Sequence, residues 1–361
     1  MDKHKKIVVK LGTNVLTRSD GFLDITAISH LVDQIVQLKK KGSIVILVSS
    51  GAVGAGKSAI QLSDNLNKIV RRQVYSSIGQ IKLMNLYSDL FLNHGIHCAQ
   101  VLATKEDFRD RSHYLNMKNC FQALLRDEVI PIVNENDVIS VTELMFTDND
   151  ELAGLIAAMI NADTLMILSS VDGILDGPPE KADSKPIPEI DPDDKKMEAY
   201  ILPSRSAFGR GGMHTKFKIA QKASGLGINT YIANGKRSNI VLNIINDDFT
   251  GTRIPAKKRT SNIKKWMAFN EAKEKGVVYI NQGAAAALCD NNKVSSLLPV
   301  GITRISGSFK KGEIIKIANQ EGKSIGLGVA QYNHEKALAY LGQKGKKALI
   351  HYDYLLINEK K

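Results

Sequence analysis

Short runs of Val, Ile and Leu recur along the first two-thirds of the chain, and between them lie longer stretches whose apolar residues return at helical spacing. The runs are Lys6 to Leu11, Ser43 to Val48, His97 to Ala103, Val129 to Val133, Thr164 to Leu168 and Asn229 to Ala233. Their shortness and continuous apolarity predict strands buried on both faces. The helical stretches are Ile25 to Lys41, Asn67 to Asn93, Ser112 to Arg126, Glu151 to Asn161 and Thr215 to Gly225. This alternation predicts an α/β fold, an αβα sandwich about a mostly parallel sheet. Ligands of such sheets bind beyond the carboxyl ends of the strands. Lys10, Ser49-Ser50-Gly51, Asn134-Glu135-Asn136-Asp137 and Ser169-Ser170 all fall at those ends.

Two segments depart from the alternation. Gly173 to Pro203 is crowded with Asp, Pro and Lys and reads as a long loop over the site, a lid or surface decoration. Beyond residue 275 the elements shorten: Val277 to Ile280, a helical Gly283 to Leu288, Ser296 to Ile302, Gly307 to Glu313, then a strand pair, Ile314 to Ala318 and Ser324 to Ala330, across Gly322. This predicts a small, mainly β, barrel-like domain. Charge marks the same division. Residues 253–361 hold 20 Lys+Arg against 8 Asp+Glu and carry the whole net charge of +12. A basic run around Pro255, from Arg253 through Lys257, Lys258 and Arg259 to Lys264 and Lys265, reads as a linker that leads to Trp266. The expected organisation is a catalytic domain over 1–255, a basic linker over 256–274 and a second domain over 275–361. The basic surface suits RNA, but few aromatics are interleaved for base stacking, which favours an ordinary solvated face.

Composition excludes several classes. With 361 residues, 43% hydrophobic and 24% charged, the chain is globular rather than disordered. No apolar run reaches membrane-span length, and Met1 to Lys6 leads into a strand rather than a signal-peptide core, so a cytoplasmic protein is expected. Cys98, Cys120 and Cys289 are too widely spaced for a zinc site and suit buried packing in a reducing compartment. No set of metal ligands and no catalytic His or Cys arrangement stands out.

The chemistry is carried by two lysine turns. Gly209-Arg210-Gly211-Gly212-Met213-His214-Thr215-Lys216 opens a helix, and Val8-Val9-Lys10-Leu11-Gly12-Thr13 ends the first strand. Glycines admit an anion to backbone N–H groups, and the helix start and the lysines add positive charge. Two lysines converging on one phosphoryl group neutralise its equatorial oxygens, which predicts a kinase. Gly51 to Ser58 also satisfies the P-loop pattern through Gly56-Lys57-Ser58. A P-loop needs a partner strand ending in aspartate, whereas Thr164 to Leu168 runs into Ser169-Ser170, and Lys10 and Gly211 would stay unexplained. The glycines of Gly51 to Gly56 are instead expected to let a substrate approach the backbone.

Taken together, Val9-Lys10-Leu11-Gly12-Thr13, Ser50-Gly51-Ala52, Val133 to Asp137, Asp148-Asn149-Asp150 and Gly211-Gly212-Met213-x-Thr215-Lys216 resemble, in order and spacing, the glutamate 5-kinases of the amino-acid kinase superfamily. Ser296-Leu297-Leu298-Pro299-x-Gly301-Ile302 and Gly307-x-Phe309-x-x-Gly312 resemble their PUA domain. The resemblance implies ATP-dependent phosphorylation of the side-chain carboxylate of L-glutamate, the first step towards proline, with ATP and Mg2+ required. It implies that Lys10 and Lys216 hold the phosphates and that Asp150 orients them and helps place magnesium. Ser50, Gly51, Asn134, Asp137, Asp148 and Asn149 are implied for glutamate. Gly12, Ser169, Ser170, Arg210, Gly211, Gly212, Met213 and Thr215 join the lysines for ATP. It further implies a dimer or tetramer and feedback by proline, with Glu143 and Asp107 in segments near the glutamate site. Ser169-Ser170 replace a usual Thr-Asp, Arg210 a frequent Thr, Asn14 a common Ser and Asn281-Gln282 an acidic pair, so nucleotide contacts are expected to differ in detail. An RNA-binding PUA protein with a decayed kinase fold is the remaining alternative, and the intact site residues argue against it.

Overall fold

The apolar runs pair as one sheet. In a computed structural model that describes residues 5–63, 65–140, 146, 148–177, 183–194, 212–257, 275–289 and 295–357, the first unit contains β1 (Lys6–Leu11), β2 (Ile44–Ser49), β3 (Cys98–Ala103), β4 (Ile130–Glu135), β5 (Thr164–Ser169), β6 (Asn229–Asn234) and β7 (Gly251–Ile254). They are ordered β3-β4-β2-β1-β5-β6-β7. Every pairing is parallel except that of β6 with β7. Strand β4 runs two residues further than its apolar core suggests, so Asn134 and Glu135 lie inside it rather than in the following turn. The four residues Gly-Thr-Arg-Ile of β7 are too few to show a period.

The helices of this unit are α1 (Thr13–Leu16), α2 (Ile25–Lys40), α3 (Ala52–Lys57), α4 (Lys68–Leu92), α5 (Lys105–Arg109), α6 (Arg111–Arg126), α7 (Asn149–Ile160), α8 (Met213–Gly225) and α9 (Ile240–Ile245). Asp24, Asn67 and Asp110 cap α2, α4 and α6 by accepting N–H bonds from Ala27, Val70 and His113, as short polar side chains do best. Helix α7 has no polar stripe: every residue from Leu152 to Ile160 is buried, and it packs on β1, β2, β4 and β5. Such a helix belongs to the interior, and it delivers its first turn to the carboxyl ends of the central strands.

The P-loop-like segment is a helix. Gly51, left-handed at φ 101°, begins α3, and the exposed Lys57 is its last residue. A phosphate-binding lysine stands instead at the start of its helix, behind an open loop. The glycines have another use. A Cβ on Gly56 would lie 1.8 Å from the Tyr75 carbonyl oxygen, and one on Gly79 would lie 1.8 Å from that of Ala52. Helices α3 and α4 thus cross backbone against backbone, and Gly56 admits a helix rather than a substrate.

The described part of the 173–203 excursion returns to the sheet edge: Leu175 bridges Pro186, and Ile190 donates its N–H to the Arg253 carbonyl at 2.9 Å. Residues 195–203, Glu143, Lys258, Arg259, Lys264, Lys265 and Trp266 lie outside the described residues.

The chain divides between residues 259 and 260 into two units. In the second, β8 (Gly276–Ile280), α10 (Gln282–Leu288), β9 (Ile302–Gly307), β10 (Ile314–Ala318), β11 (Ser324–Val329), α11 (His334–Tyr340) and β12 (Leu355–Ile357) build a five-stranded sheet ordered β12-β11-β10-β8-β9. Val278, Ile280, Ile315, Ile317, Leu349 and Ile350 lie at its core. The pair β10–β11 is antiparallel, as expected. Residues Ser296 to Ile302 are mostly turn, because Pro299 starts a single 3-10 turn ahead of β9.

Candidate active site

Lys10 is the penultimate residue of β1, registered against Val48 and Ile167; Lys216 lies in the first turn of α8. Both reach the same carboxylate. Lys10 Nζ is 2.6 Å from Asp150 Oδ1, and Lys216 Nζ donates to Asp150 Oδ2 at 2.8 Å. Asp150 is fully buried, and the two lysines are 5% and 8% exposed. The helix start fixes this aim: Asp148 caps α7, its Oδ1 accepting the N–H groups of Asp150 at 3.0 Å and Glu151 at 3.1 Å. Burial disfavours a charged Asp150, yet the two ammonium groups prevail and hold its carboxyl well below the usual carboxylate range. Burial likewise opposes the Lys216 charge, and Asp150 overcomes it and raises the pKa. For Asp148, burial and then the charge of Asp150 push the pKa up to about 7 against the pull of both lysines. Its Oδ2 is buried with no hydrogen-bond partner among the described residues. Such an arrangement is a receptor for a multiply charged anion, built from two ammonium groups that a single carboxylate aligns.

Gly12 borders this trio. Its N–H donates to the Leu168 carbonyl at 3.0 Å, and a Cβ there would stand 3.1 Å from that oxygen and 3.5 Å from Lys10 Nζ. Ser169 ends β5 with its Oγ accepting from Val171 N–H at 3.3 Å, and Ser170 follows exposed. Gly212 precedes α8, so Met213 and Thr215 share its first turn with Lys216. Arg210 and Gly211 lie outside the described residues. Asp172 pairs through both oxygens with Arg237, at 2.6 and 2.9 Å, joining the turns after β5 and β6.

On the opposite side of β1, a polar network joins the remaining site residues. Asn149 Nδ2 donates to Ser50 Oγ at 2.9 Å and Asn134 Oδ1 at 3.0 Å. Asn134 donates in turn to Gln80 Oε1 at 2.9 Å. Gly51 is buried beside Ser50. Asp137 accepts from Ser76 Oγ at 2.8 Å and from Arg72 Nη2, and that nitrogen also donates to Glu135 Oε2 at 3.2 Å. A cavity of about 440 Å³ opens beside Asp137, between α4 and the β3–β4 edge. Sequence reasoning missed the contribution of α4. The spacing of Arg72, Ser76 and Gln80 by four residues, one helical face, is the signal it carried. Among the described residues no group of three or more His, Cys, Asp or Glu is placed to hold a metal ion unaided.

Residues 5–234 match the amino acid kinase family and residues 276–351 the PUA domain. A glutamate 5-kinase of Chlorobaculum tepidum is 51% identical over 98% of both chains, and one of Bacteroides thetaiotaomicron 49% identical over the same shares. Among solved structures, a carbamate kinase from Giardia lamblia bound to AMP-PNP aligns with a TM-score of 0.52 at 21% identity, covering 71% of this chain and 100% of that one. The UMP kinase of Ureaplasma parvum aligns at 0.50 and 15%, covering 70% and 99%. These two show the shared fold. The chain therefore belongs to the amino acid kinase family and, within it, to the glutamate 5-kinases.

Proposed function

We propose that this enzyme transfers the γ-phosphoryl group of ATP to the side-chain carboxylate of L-glutamate, giving L-glutamyl 5-phosphate, the first step of proline biosynthesis. The observation that carries the reading is the pair of buried lysines held by Asp150 between the polar network of Ser50, Asn134, Asp137 and Asn149 and the β5–α8 side with Gly12, Ser169 and Met213. The attacking group is already an anion near neutral pH, so no general base is required. What the reaction needs is alignment of two polyanions and neutralisation of the charge they share. Lys10 and Lys216 supply that charge, Asp150 keeps it aimed, and Asp137 accepts the α-ammonium of glutamate. Ser50 and Asn149 hold the amino acid by hydrogen bonds, with Gly51, Asn134 and Asp148 beside them. Gly12, Ser169, Ser170, Gly212, Met213 and Thr215 surround the nucleotide, and Arg210 and Gly211 are assigned to it with them.

The buried, unpartnered Oδ2 of Asp148 suits Mg2+ brought in with the nucleotide, since magnesium is commonly held by one or two carboxylates together with substrate phosphates. When bound, the cation would neutralise phosphate charge beside the lysines. The kinase domain is assigned to 1–255, the linker to 256–274 and a PUA-like domain to 275–361. A cytoplasmic dimer or tetramer with proline feedback follows from the family resemblance, and unchanged turnover at saturating proline overturns the feedback.

The test is ADP release with ATP and Mg2+ on L-glutamate, L-aspartate and N-acetyl-L-glutamate, with hydroxylamine present to trap an acyl phosphate. Hydroxamate from L-glutamate alone is expected. ATP hydrolysis independent of any amino acid overturns the reading.

A further inference from the structure

Arg72 has no place in the phosphoryl chemistry, yet it reaches into the glutamate side of the site. It projects from the first turns of α4, and a single guanidinium nitrogen, Nη2, meets both Asp137 Oδ1 and Glu135 Oε2. The two carboxylates are 7% and 2% exposed at their side chains, and Arg72 is 26% exposed. Glu135 is anchored from its other side, where Oε1 accepts the Phe146 N–H at 2.9 Å. Asp137 is anchored by Ser76 Oγ at 2.8 Å. Two carboxylates this well removed from water repel one another, and the repulsion is strong because little solvent screens it. Counted over these three side chains, one guanidinium and two carboxylates leave one negative charge. That charge matches a single ammonium group.

We propose that Arg72 is a positioning and specificity residue of the amino-acid site: by sharing one nitrogen between Glu135 and Asp137 it aims Asp137 and sets the pocket's charge to accept one ammonium group. The inference rests on the assignment of Asp137 to the α-ammonium of the substrate. A pocket left with both carboxylates and no arginine is overcharged, and Asp137 turns from its aim. One left with Asp137 and Arg72 but a neutral side chain in place of Glu135 is undercharged. Each single change therefore weakens recognition of glutamate, and the two together restore it.

The experiment is steady-state kinetics on the full chain, with KM for L-glutamate and for ATP measured separately for Arg72→Gln, Glu135→Gln, Arg72→Gln/Glu135→Gln, Arg72→Lys and Asp137→Asn. Loss of a charge-assisted contact predicts that each of the first two raises the KM for glutamate about tenfold or more, with the KM for ATP within about twofold. The double variant returns towards the parent value, because the amide oxygen that replaces the Glu135 carboxylate still accepts the Phe146 N–H and Asp137 keeps its single charge. Arg72→Lys also recovers, since one ammonium nitrogen can serve both carboxylates as Nη2 does. Additive losses in the double variant, or an unchanged KM for glutamate in Arg72→Gln while Asp137→Asn raises it, overturn the inference alone. An unchanged KM in Asp137→Asn overturns the ammonium assignment beneath it. If Arg72→Gln does not fold, Glu135→Gln and Arg72→Lys still decide. The first is expected to raise the KM, the second to spare it, and the reverse result refutes the proposal.

Discussion

Asp150→Asn removes one charge and leaves the shape of the site intact, which makes it the sharpest probe of how the lysines are aimed. In the parent, one carboxylate is ion-paired with Lys10 at 2.6 Å and accepts a hydrogen bond from Lys216 at 2.8 Å. Hydrogen bonds to charged groups contribute about 1.5–3 kcal/mol each, so about 3–6 kcal/mol of alignment is at stake. Asparagine offers one acceptor, and its NH2 faces the second ammonium group. At about 1.4 kcal/mol per tenfold in rate, kcat is expected to fall by about 10²–10⁴, with the KM for glutamate within about threefold because the amino-acid contacts are untouched. Stability responds with a defined sign. The Asp150 carboxyl lies below its ordinary range in the folded protein, so its contribution is complete above the unfolded value near 4 and declines as pH falls towards the folded value. The melting temperature of Asp150→Asn should therefore lie below that of the parent at pH 8, and the gap should narrow on acidification below about pH 4. Kinetics by coupled ADP release and unfolding by calorimetry give both readouts. A folded variant with kcat within tenfold of the parent would refute the claim that this carboxylate aligns the two lysines.

Lys10→Ala and Lys216→Ala should each lower kcat by at least about 10²–10³, the usual cost of removing one preorganised donor, whereas Lys57→Ala, at the exposed end of α3, should leave kcat/KM within about twofold; progress curves for ADP distinguish them. Asp148, with its pKa raised to about 7, binds its proton more tightly folded than unfolded, so in the ligand-free parent its contribution is present at pH 4 and is lost as pH rises towards 7. Asp148→Asn keeps the helix cap and lacks that loss, so its melting temperature should match the parent at and below about pH 4 and exceed it at pH 8. Gly56→Ala forces a Cβ to 1.8 Å from the Tyr75 carbonyl and should cost about 3 kcal/mol or more, while Gly225→Ala, with nothing within 4 Å of its Cβ, should leave chemical denaturation midpoints unchanged.

Much of this architecture was legible because burial on both faces writes itself as unbroken Val-Ile-Leu runs, and those runs became β1 to β6 with boundaries shifted by a residue or two. What stayed hidden were short elements fixed by tertiary contact. Helices α1, α3, α5 and α9, each of four to six residues, are too brief for a period to emerge, and β7 exists because β6 offers it an edge. The glycines of Gly51 to Gly56 were expected to admit a substrate, and Gly56 admits a helix instead: glycine serves a close ligand approach and a close helix crossing equally well, and the position of Tyr75 separates the two. At the site, Lys10, Asp150 and Lys216 were readable as residue types, but their meeting on one carboxylate depends on strand order. Arg72 escaped, and Glu135 was seen only as part of a strand-end segment, because a charged residue in a helix and one inside a strand look alike in sequence whether solvated or paired.

Catalysis turns on two lysines acting together on a phosphoryl group in flight towards glutamate. Its most direct test is calorimetric titration of ADP, Mg2+ and aluminium fluoride, a planar phosphoryl mimic, into the protein with and without L-glutamate, for the parent and for Lys10→Ala and Lys216→Ala. A tight complex that requires glutamate is expected in the parent, weakened by about 10²-fold or more in either lysine variant. Equal affinity in all three proteins, or a complex indifferent to glutamate, would contradict it.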